Sequence, residues 1–500
     1  MKWRVNLNET TYFDVYLVDD QLVINDYQLG IKKLINLSYE NGRVEISFLK
    51  KKIAYFSLDL EDVKYFNNSL VTSTEIRNAL EFITKSEQDY DDYIRNAAIL
   101  RKGEDTIQYS PETELHTHFM EMLSGEQFID VLFSFVNDLC DGIPVDVNGH
   151  LIGFLGKDDS GNRIPMEQYI TDYIPLDNKE IVNRLVQELE LPMNGQSDFS
   201  HLSTALSKRN NLIDFVAKIL KQKKYPDETI GNIKAVINVS LLKKSLEVLK
   251  EAGIVYTEIS YSNDSTIKKM LALLGDDYKD YIDFSILLSA NRNSFNNPTY
   301  VSETKKNLRK LLEKGLVRGF DLMGEELPLS VNDFDFNLST SYASFIDYVV
   351  PLLSKYDDSV LRLHMGENQR SQTNPLGSLK VIKEVVKKYG LVIPLPYIRL
   401  GHAVFFDREN IEYEKLLKEL KVVIEINASS NFSLSNVRLL EDIPYKWYRD
   451  RGIPIVLATD GGGVYRTSPK QEVLVGQKTD ERVPLFLEES EQVEGVKPKR

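Results

Sequence analysis

The chain has 500 residues, 42% hydrophobic and 27% charged, with 61 Lys and Arg against 75 Asp and Glu for a net charge of -14. Such a chain is long enough for a large core and two domains. Its dispersed acidic charge speaks against a nucleic-acid-tracking surface, no apolar run reaches the ~18 residues of a membrane helix, and the first residues, MKWRVNLNETTYFDV, lack the apolar core of a signal peptide. The single cysteine, Cys140, excludes an intrachain disulfide and fits a reducing compartment, so a cytoplasmic location is expected.

Residues 1–70 read as short strands. The runs 15–20, 21–26, 43–49 and 52–58 are apolar and β-branched, separated by Asp, Asn and Gly. Residues 74–101 read as a helix, with Ser73 or Thr74 at its N-cap. This front piece, 1–110, carries no histidine and no chemical motif. It reads either as a small β-rich accessory domain with a linking helix, serving regulation or assembly with a second copy or a partner protein, or as a structural extension of the barrel.

Residues 113–118 end in Glu114-Leu115-His116-Thr117-His118. Side chains alternate along a strand, so the two histidines share a face and can hold one metal ion through two imidazoles. A long helical region follows, about 119–250. Ser124 is a cap candidate, helical spacing recurs in 179–191, 211–222 and 239–253, and 155–165 reads as loop. His150 and His201 lie here without a matching ligand cluster and read as surface or structural residues.

Beyond this the pattern becomes regular. Apolar strand candidates at 253–260, 281–289, 315–322, 359–364, 397–402, 422–427 and 454–460 alternate with helical segments. With 113–118 they make eight, which predicts an α/β fold, a closed parallel (β/α)8 TIM barrel, over 111–468. The active site of such a barrel lies at the carboxyl ends of its strands. Polar residues fall at those ends: His116, His118, Glu258, Asp321, His364, His402, Asn427 and Asp460. Residues 469–500 read as a charged tail, with a weak helix at best and a break at Pro484.

The chemistry expected of these ends is metal-assisted hydrolysis. A catalytic zinc takes three or four protein ligands and keeps a place for water. His116, His118, His364 and Asp460 supply such a set for one Zn2+ per chain, and zinc lowers the pKa of bound water. Glu367, three residues past His364, is placed to shuttle a proton to a leaving group, and His402 to orient the nucleophile. Gly366 and Gly401 beside these groups allow close approach of the backbone. Arg292, Arg370 and Arg466 follow strand ends or site motifs and read as phosphate-recognising residues of a nucleotide.

The set HTH, GFDLMGEE, HMGE, RLGHA, NASSN and ATDGGG, in this order over 113–468, resembles the adenosine/AMP deaminase family of metal-dependent amidohydrolases. The resemblance implies zinc-dependent replacement of a purine amino group by oxygen with release of ammonia. It implies His116, His118, His364 and Asp460 as zinc ligands and Glu367 as the acid protonating purine N1. His402 would assist the attacking water, and the Gly324 backbone would face purine N3.

The chain departs from the family at two positions. The family has a second aspartate after its metal-binding one, in contact with purine N7; here that position is Gly461. Adenosine-specific members carry an aspartate for the ribose end; here stand Met120 and then Glu121. A nucleotide is therefore the favoured substrate. The alternatives are an amidohydrolase acting on another C–N bond and a degenerate barrel that binds a purine or serves assembly. A small-molecule purine is the expected partner, with neither nucleic acid nor membrane.

Overall fold

A computed structural model describes residues 109–158, 160–191, 197–275, 281–437 and 440–498, and before them the backbone of eight short strands between Lys2 and Lys85. Eight parallel strands form the centre: β1 (Thr113–His118), β2 (Tyr256–Tyr261), β3 (Asp283–Asn291), β4 (Gly319–Met323), β5 (Val360–Met365), β6 (Tyr397–His402), β7 (Val423–Ile426) and β8 (Ile455–Leu457). Each pairs with the next in sequence order. Both faces of these strands are buried, yet the apolar residues of β2, β5, β6 and β7 are interrupted by buried Glu258, Arg362, Arg399 and Glu425. The ring closes at the site itself. Thr117 bridges Asp460, the His118 amide donates to Asp460 O at 2.9 Å, and the Asp460 amide donates to His116 O at 2.8 Å. The predicted (β/α)8 barrel is therefore the fold observed, with 113–118 and 397–402 unchanged and the other strand limits moved by one to four residues.

Helices wrap the barrel because one face of each carries the apolar residues. α1 (Gly125–Phe133) begins at Ser124, whose hydroxyl accepts from the Gln127 amide at 3.2 Å while the Gln127 side chain accepts from the Ser124 amide at 3.0 Å. That reciprocal pair satisfies two donors at the helix start. α2 (Lys179–Gln187) and the long pair α3 (Phe199–Lys223) and α4 (Ile230–Glu251) fill the stretch between β1 and β2. α5 (Asp264–Leu274), α6 (Pro298–Glu313), α7 (Tyr342–Leu353), α8 (Asn374–Tyr389) and α9 (Ile411–Glu419) follow β2 to β6 in turn. The short α10 (Ala428–Ser433) and α11 (Tyr445–Asp450) lie between β7 and β8. No helix among the described residues is long and apolar enough to cross a membrane.

The expectation of a loose tail is corrected. α12 (Pro469–Thr479) and α13 (Val483–Ser490) continue the barrel, burying Val473, Val475, Val483 and Leu487. Pro484 does not break α13, because it lies in the first turn, where a missing amide proton costs nothing. Val496 is also buried, and Arg399 on β6 donates to its carbonyl at 3.2 Å.

The front piece contains two antiparallel sheets. One joins Tyr12–Val18 to Gln21–Asp26 and Lys2–Asn6; the other runs through Ile35–Glu40, Arg43–Phe48, Lys51–Ser57 and Val63–Tyr65. The helix expected over 74–101 is corrected at Thr84–Lys85, a strand paired with Arg4 and Trp3. The rest of that stretch lies outside the described residues.

Candidate active site

His116 and His118 point inward from the end of β1, as their spacing of two requires. His364 ends the inward face of β5, His402 is the last residue of β6, and Asp460 closes the ring beyond β8. All five are buried or nearly so, and the structure brings them together. The ligating atoms of His116, His118 and His364 lie within 4.8 Å of one another, as do those of His116, His402 and Asp460 and those of His364, Glu367 and His402. His402 and Asp460 both have left-handed backbones, with φ of 66° and 63°. That conformation is costly for side chains with a Cβ and persists where surrounding structure holds it.

The donor set fits a metal. Asp460 Oδ1 approaches His118 Nε2 at 3.2 Å and His116 Nε2 at 3.4 Å. Donors about 2.0–2.1 Å from a tetrahedral zinc lie about 3.3 Å apart, so these separations match a shared cation. His116 Nε2, His364 Nε2 and Asp460 Oδ1 are buried and complete no hydrogen bond among the described residues. Buried polar atoms are ordinarily partnered, which makes three converging orphans a signature of a missing ligand.

Further residues orient these groups. The His116 ring is oriented through Nδ1, 3.0 Å from Glu425 Oε2 on β7, while Asp321 Oδ1 on β4 stands 3.3 Å from His364 Nε2, beside the metal-facing atom rather than behind the ring. Ser430 Oγ donates to Asp460 Oδ2 at 2.6 Å. Gly401 is required beside His116: a Cβ there would fall 2.5 Å from the ring carbon Cε1. The Glu367 amide donates to Glu326 at 2.7 Å, and Asn436 Nδ2 donates to Glu367 Oε1 at 3.4 Å. Glu326 also accepts from the Gly366 amide, Ser371 and Asn374. The loop after β5 is thus wrapped around one buried carboxylate.

Burial, with the charges of Asp460 and Glu326 adding to it, pushes the Glu367 carboxyl up to about 8. Burial pushes His402 well below its ordinary range, against the pull of Asp460. Burial opposes ionisation of Glu425, but Arg362 and His116 outweigh it and hold the carboxyl down at about 2. The barrel mouth thus combines a carboxyl that keeps its proton near neutrality, a neutral imidazole and anchored anions.

Below the mouth lies a second polar layer that sequence reasoning placed differently. Glu258 is not at the mouth; it sits in the barrel interior, where Arg399 Nη1 approaches it at 2.6 Å and Arg318 and Arg362 also pair with it. Arg362 Nε donates to Glu425 at 2.7 Å, and Arg399 Nη1 reaches Glu425 at 3.2 Å. Arg362 and His364 are two apart on β5, so the network stands directly beneath the histidines. That spacing was the available signal for it.

A cavity of about 440 Å3 opens over the cluster, lined by His118, Gly324, His364, Glu367, His402 and Asp460 among others. Arg370 and Arg466 do not line it. Arg370 stands against Glu325 at 3.6 Å in a small neighbouring pocket. Arg466 is half exposed and reaches Glu190 at 3.3 Å in a separate cavity of about 540 Å3 beside α1 and α2. That larger cavity holds none of the histidines, so size does not identify the site. The third expected arginine, Arg292, donates to the carbonyls of Leu322 and His364 and so braces the site's backbone. The cation that does line the histidine cavity is Lys234, paired with Asp214. His150 and His201 are exposed and paired with Glu188 and Asp198, as expected.

No family model matches the sequence. The chain is 28% identical to the adenosine deaminase of Enterococcus faecalis over 162 residues, 32% of this chain and 39% of that protein. It is 26% identical to the adenosine deaminase of Lactococcus lactis over 163 residues, 33% of this chain and 38% of that protein. The matches thus span well under half the length of these curated relatives. Among solved structures, the N6-methyl-AMP deaminase of Arabidopsis thaliana is 16% identical at a TM-score of 0.44, covering 79% of this chain and 92% of that one. The two curated relatives support the resemblance to the adenosine/AMP deaminase family read from the motifs.

Proposed function

We propose that the protein is a zinc-dependent deaminase that hydrolyses the amino group of an adenine nucleoside or nucleotide, giving the inosine form and ammonia. The observation that carries this reading is the convergence of three buried, unpartnered donor atoms from His116, His364 and Asp460 beside Glu367. His116, His118, His364 and Asp460 would hold one zinc. Zinc, when bound, supplies Lewis acidity that makes water a nucleophile near neutral pH.

The remaining steps belong to the protein's own side chains. Glu367, whose carboxyl retains its proton near neutrality, donates that proton to the ring nitrogen next to the amino-bearing carbon. His402, held neutral by burial, accepts a hydrogen bond from the attacking water and orients it. A carbon–oxygen bond forms and the carbon–nitrogen bond breaks; of the water's two protons, one goes to the amine, which leaves as ammonia, and one returns Glu367 to its protonated form. The backbone of Gly324 lines the cavity where the far side of the ring would lie.

The nucleotide preference gains no support from Arg370 and Arg466, which stand outside the cavity. A phosphate at the outer end would meet Lys234 instead. Residues 1–110 are proposed as an accessory piece for contact with another chain. With Cys140 as the only cysteine, a cytoplasmic location belongs to the same proposal.

The test is ammonia release by zinc-loaded protein from adenosine, deoxyadenosine, AMP, dAMP and ATP, with Glu367→Ala as control. Release from at least one compound, abolished in the variant, is expected. Silence across the panel with one zinc bound per chain would move the assignment to another C–N bond.

A further inference from the structure

Gly461 stands where the family resemblance calls for a second carboxylate, and another side chain fills that space. A Cβ added at Gly461 would fall 2.3 Å from Glu121 Cβ and 2.9 Å from Glu121 Oε2. Any side chain at 461 therefore needs the volume that Glu121 holds. Glu121 comes from the turn after β1 rather than from the loop after β8, and it lines the histidine cavity together with His118, Gly324, Glu367 and Asp460.

The main chain around Glu121 is fixed. Its carbonyl accepts from the amides of Gly463 at 2.9 Å and Val464 at 3.0 Å, and Arg209 Nη1 donates to the neighbouring Met120 carbonyl at 3.0 Å. The side chain is only 6% exposed, yet Oε2 is buried with no hydrogen-bond partner among the described residues. A carboxyl removed from water without a partner is costly, and Glu121 lines the cavity, where a ligand group can meet its carboxyl.

We propose that Glu121 is a substrate-positioning residue, its protonated carboxyl donating the hydrogen bond to an acceptor ring nitrogen of the bound purine that a residue at 461 cannot make here. The proposal rests on the purine-deaminase reading. Gly461 is then the complement of Glu121 rather than a lost function: the carboxyl arrives from the opposite side of the ring closure, and glycine leaves it room.

The experiment uses the zinc-loaded full chain and compares kcat/KM for the best adenine substrate with that for its 7-deaza counterpart, in which carbon replaces the acceptor nitrogen. The wild type is expected to prefer the purine by about tenfold or more, the usual worth of one such hydrogen bond. Glu121→Ala should bring the ratio near one, chiefly through KM, whereas Glu121→Gln, whose amide can donate, should keep it. The double variant Glu121→Gly/Gly461→Asp, which removes the Cβ that a side chain at 461 would meet, should restore discrimination, while Gly461→Asp alone should impair the protein by crowding Glu121. The inference is overturned if the wild type does not distinguish the two compounds, which needs no variant, or if a folded Glu121→Ala protein keeps the ratio. Loss of discrimination in Glu121→Gln despite its donor, or no recovery in the double variant, counts against it as well. Absence of turnover on every adenine compound would instead overturn the deaminase reading, and this inference with it.

Discussion

The barrel holds two buried polar layers that differ in how their atoms are satisfied. In the interior, Glu258 and Glu425 meet Arg318, Arg362 and Arg399, and each carboxylate has cationic partners. At the mouth, His116 Nε2, His364 Nε2, Asp460 Oδ1 and Glu121 Oε2 are also buried and have no hydrogen-bond partner among the described residues. A paired layer answers its own desolvation cost and reads as scaffold; an unpaired one needs something from outside. The layers also touch, because Glu425 serves both Arg362 and His116. The scaffold therefore aims the site.

Substitutions in each layer sharpen this contrast. Glu367→Ala at the mouth should lower turnover by roughly 10^2–10^4-fold while leaving metal content and melting temperature close to wild type, since it removes a proton donor and no ligand. Glu258→Gln in the interior should do the reverse, costing about 3–5 kcal/mol of stability in denaturant unfolding because it strands buried guanidinium groups.

That stability difference depends on pH in a defined direction. Arg399, Arg318 and Arg362 outweigh burial and hold the Glu258 carboxyl below its ordinary value. Its contribution is thus present above the ordinary glutamate range and is lost as pH falls through the lower folded value. The gap between wild type and Glu258→Gln should close on acidification; a gap that widens would contradict the pairing.

Glu425→Gln, at the junction, should weaken zinc affinity by about 10–100-fold, measured by competition with a chelator, because the His116 ring loses its anionic anchor. The smallest effect is expected from Arg370→Ala and Arg466→Ala. Both lie outside the histidine cavity, so the ratio of nucleotide to nucleoside turnover should stay within about twofold. A large fall in that ratio would show that a bound phosphate reaches across to one of them.

Much of the barrel was legible in the sequence because its strands are short apolar runs ending in chemically distinctive residues. Four histidines and Asp460 at strand ends could be assembled without coordinates, since a closed parallel barrel gathers its carboxyl ends at one mouth. Glu258 was misplaced because a strand's position in a sequence does not say how deep in the barrel a residue lies. Glu425 sits on a strand stretch that reads as ordinary core, and only its inward register shows it behind His116, whereas Asp321 was placed at the mouth from the sequence and stands beside His364. The helices α12 and α13 were hidden by a proline and by charged residues, of which Lys470, Lys478, Glu488 and Glu489 are exposed while Glu472 is buried. Glu121 was noticed only as a departure, because its pairing with Gly461 joins residues 340 positions apart at the ring closure. No local pattern carries that information.

The measurement that bears most directly on the central claim is ammonia release from the preferred adenine substrate, followed in one preparation as zinc is stripped by a chelator and then restored. The account predicts turnover proportional to bound zinc, saturating at about one ion per chain. Undiminished turnover by protein stripped of its metal would contradict it.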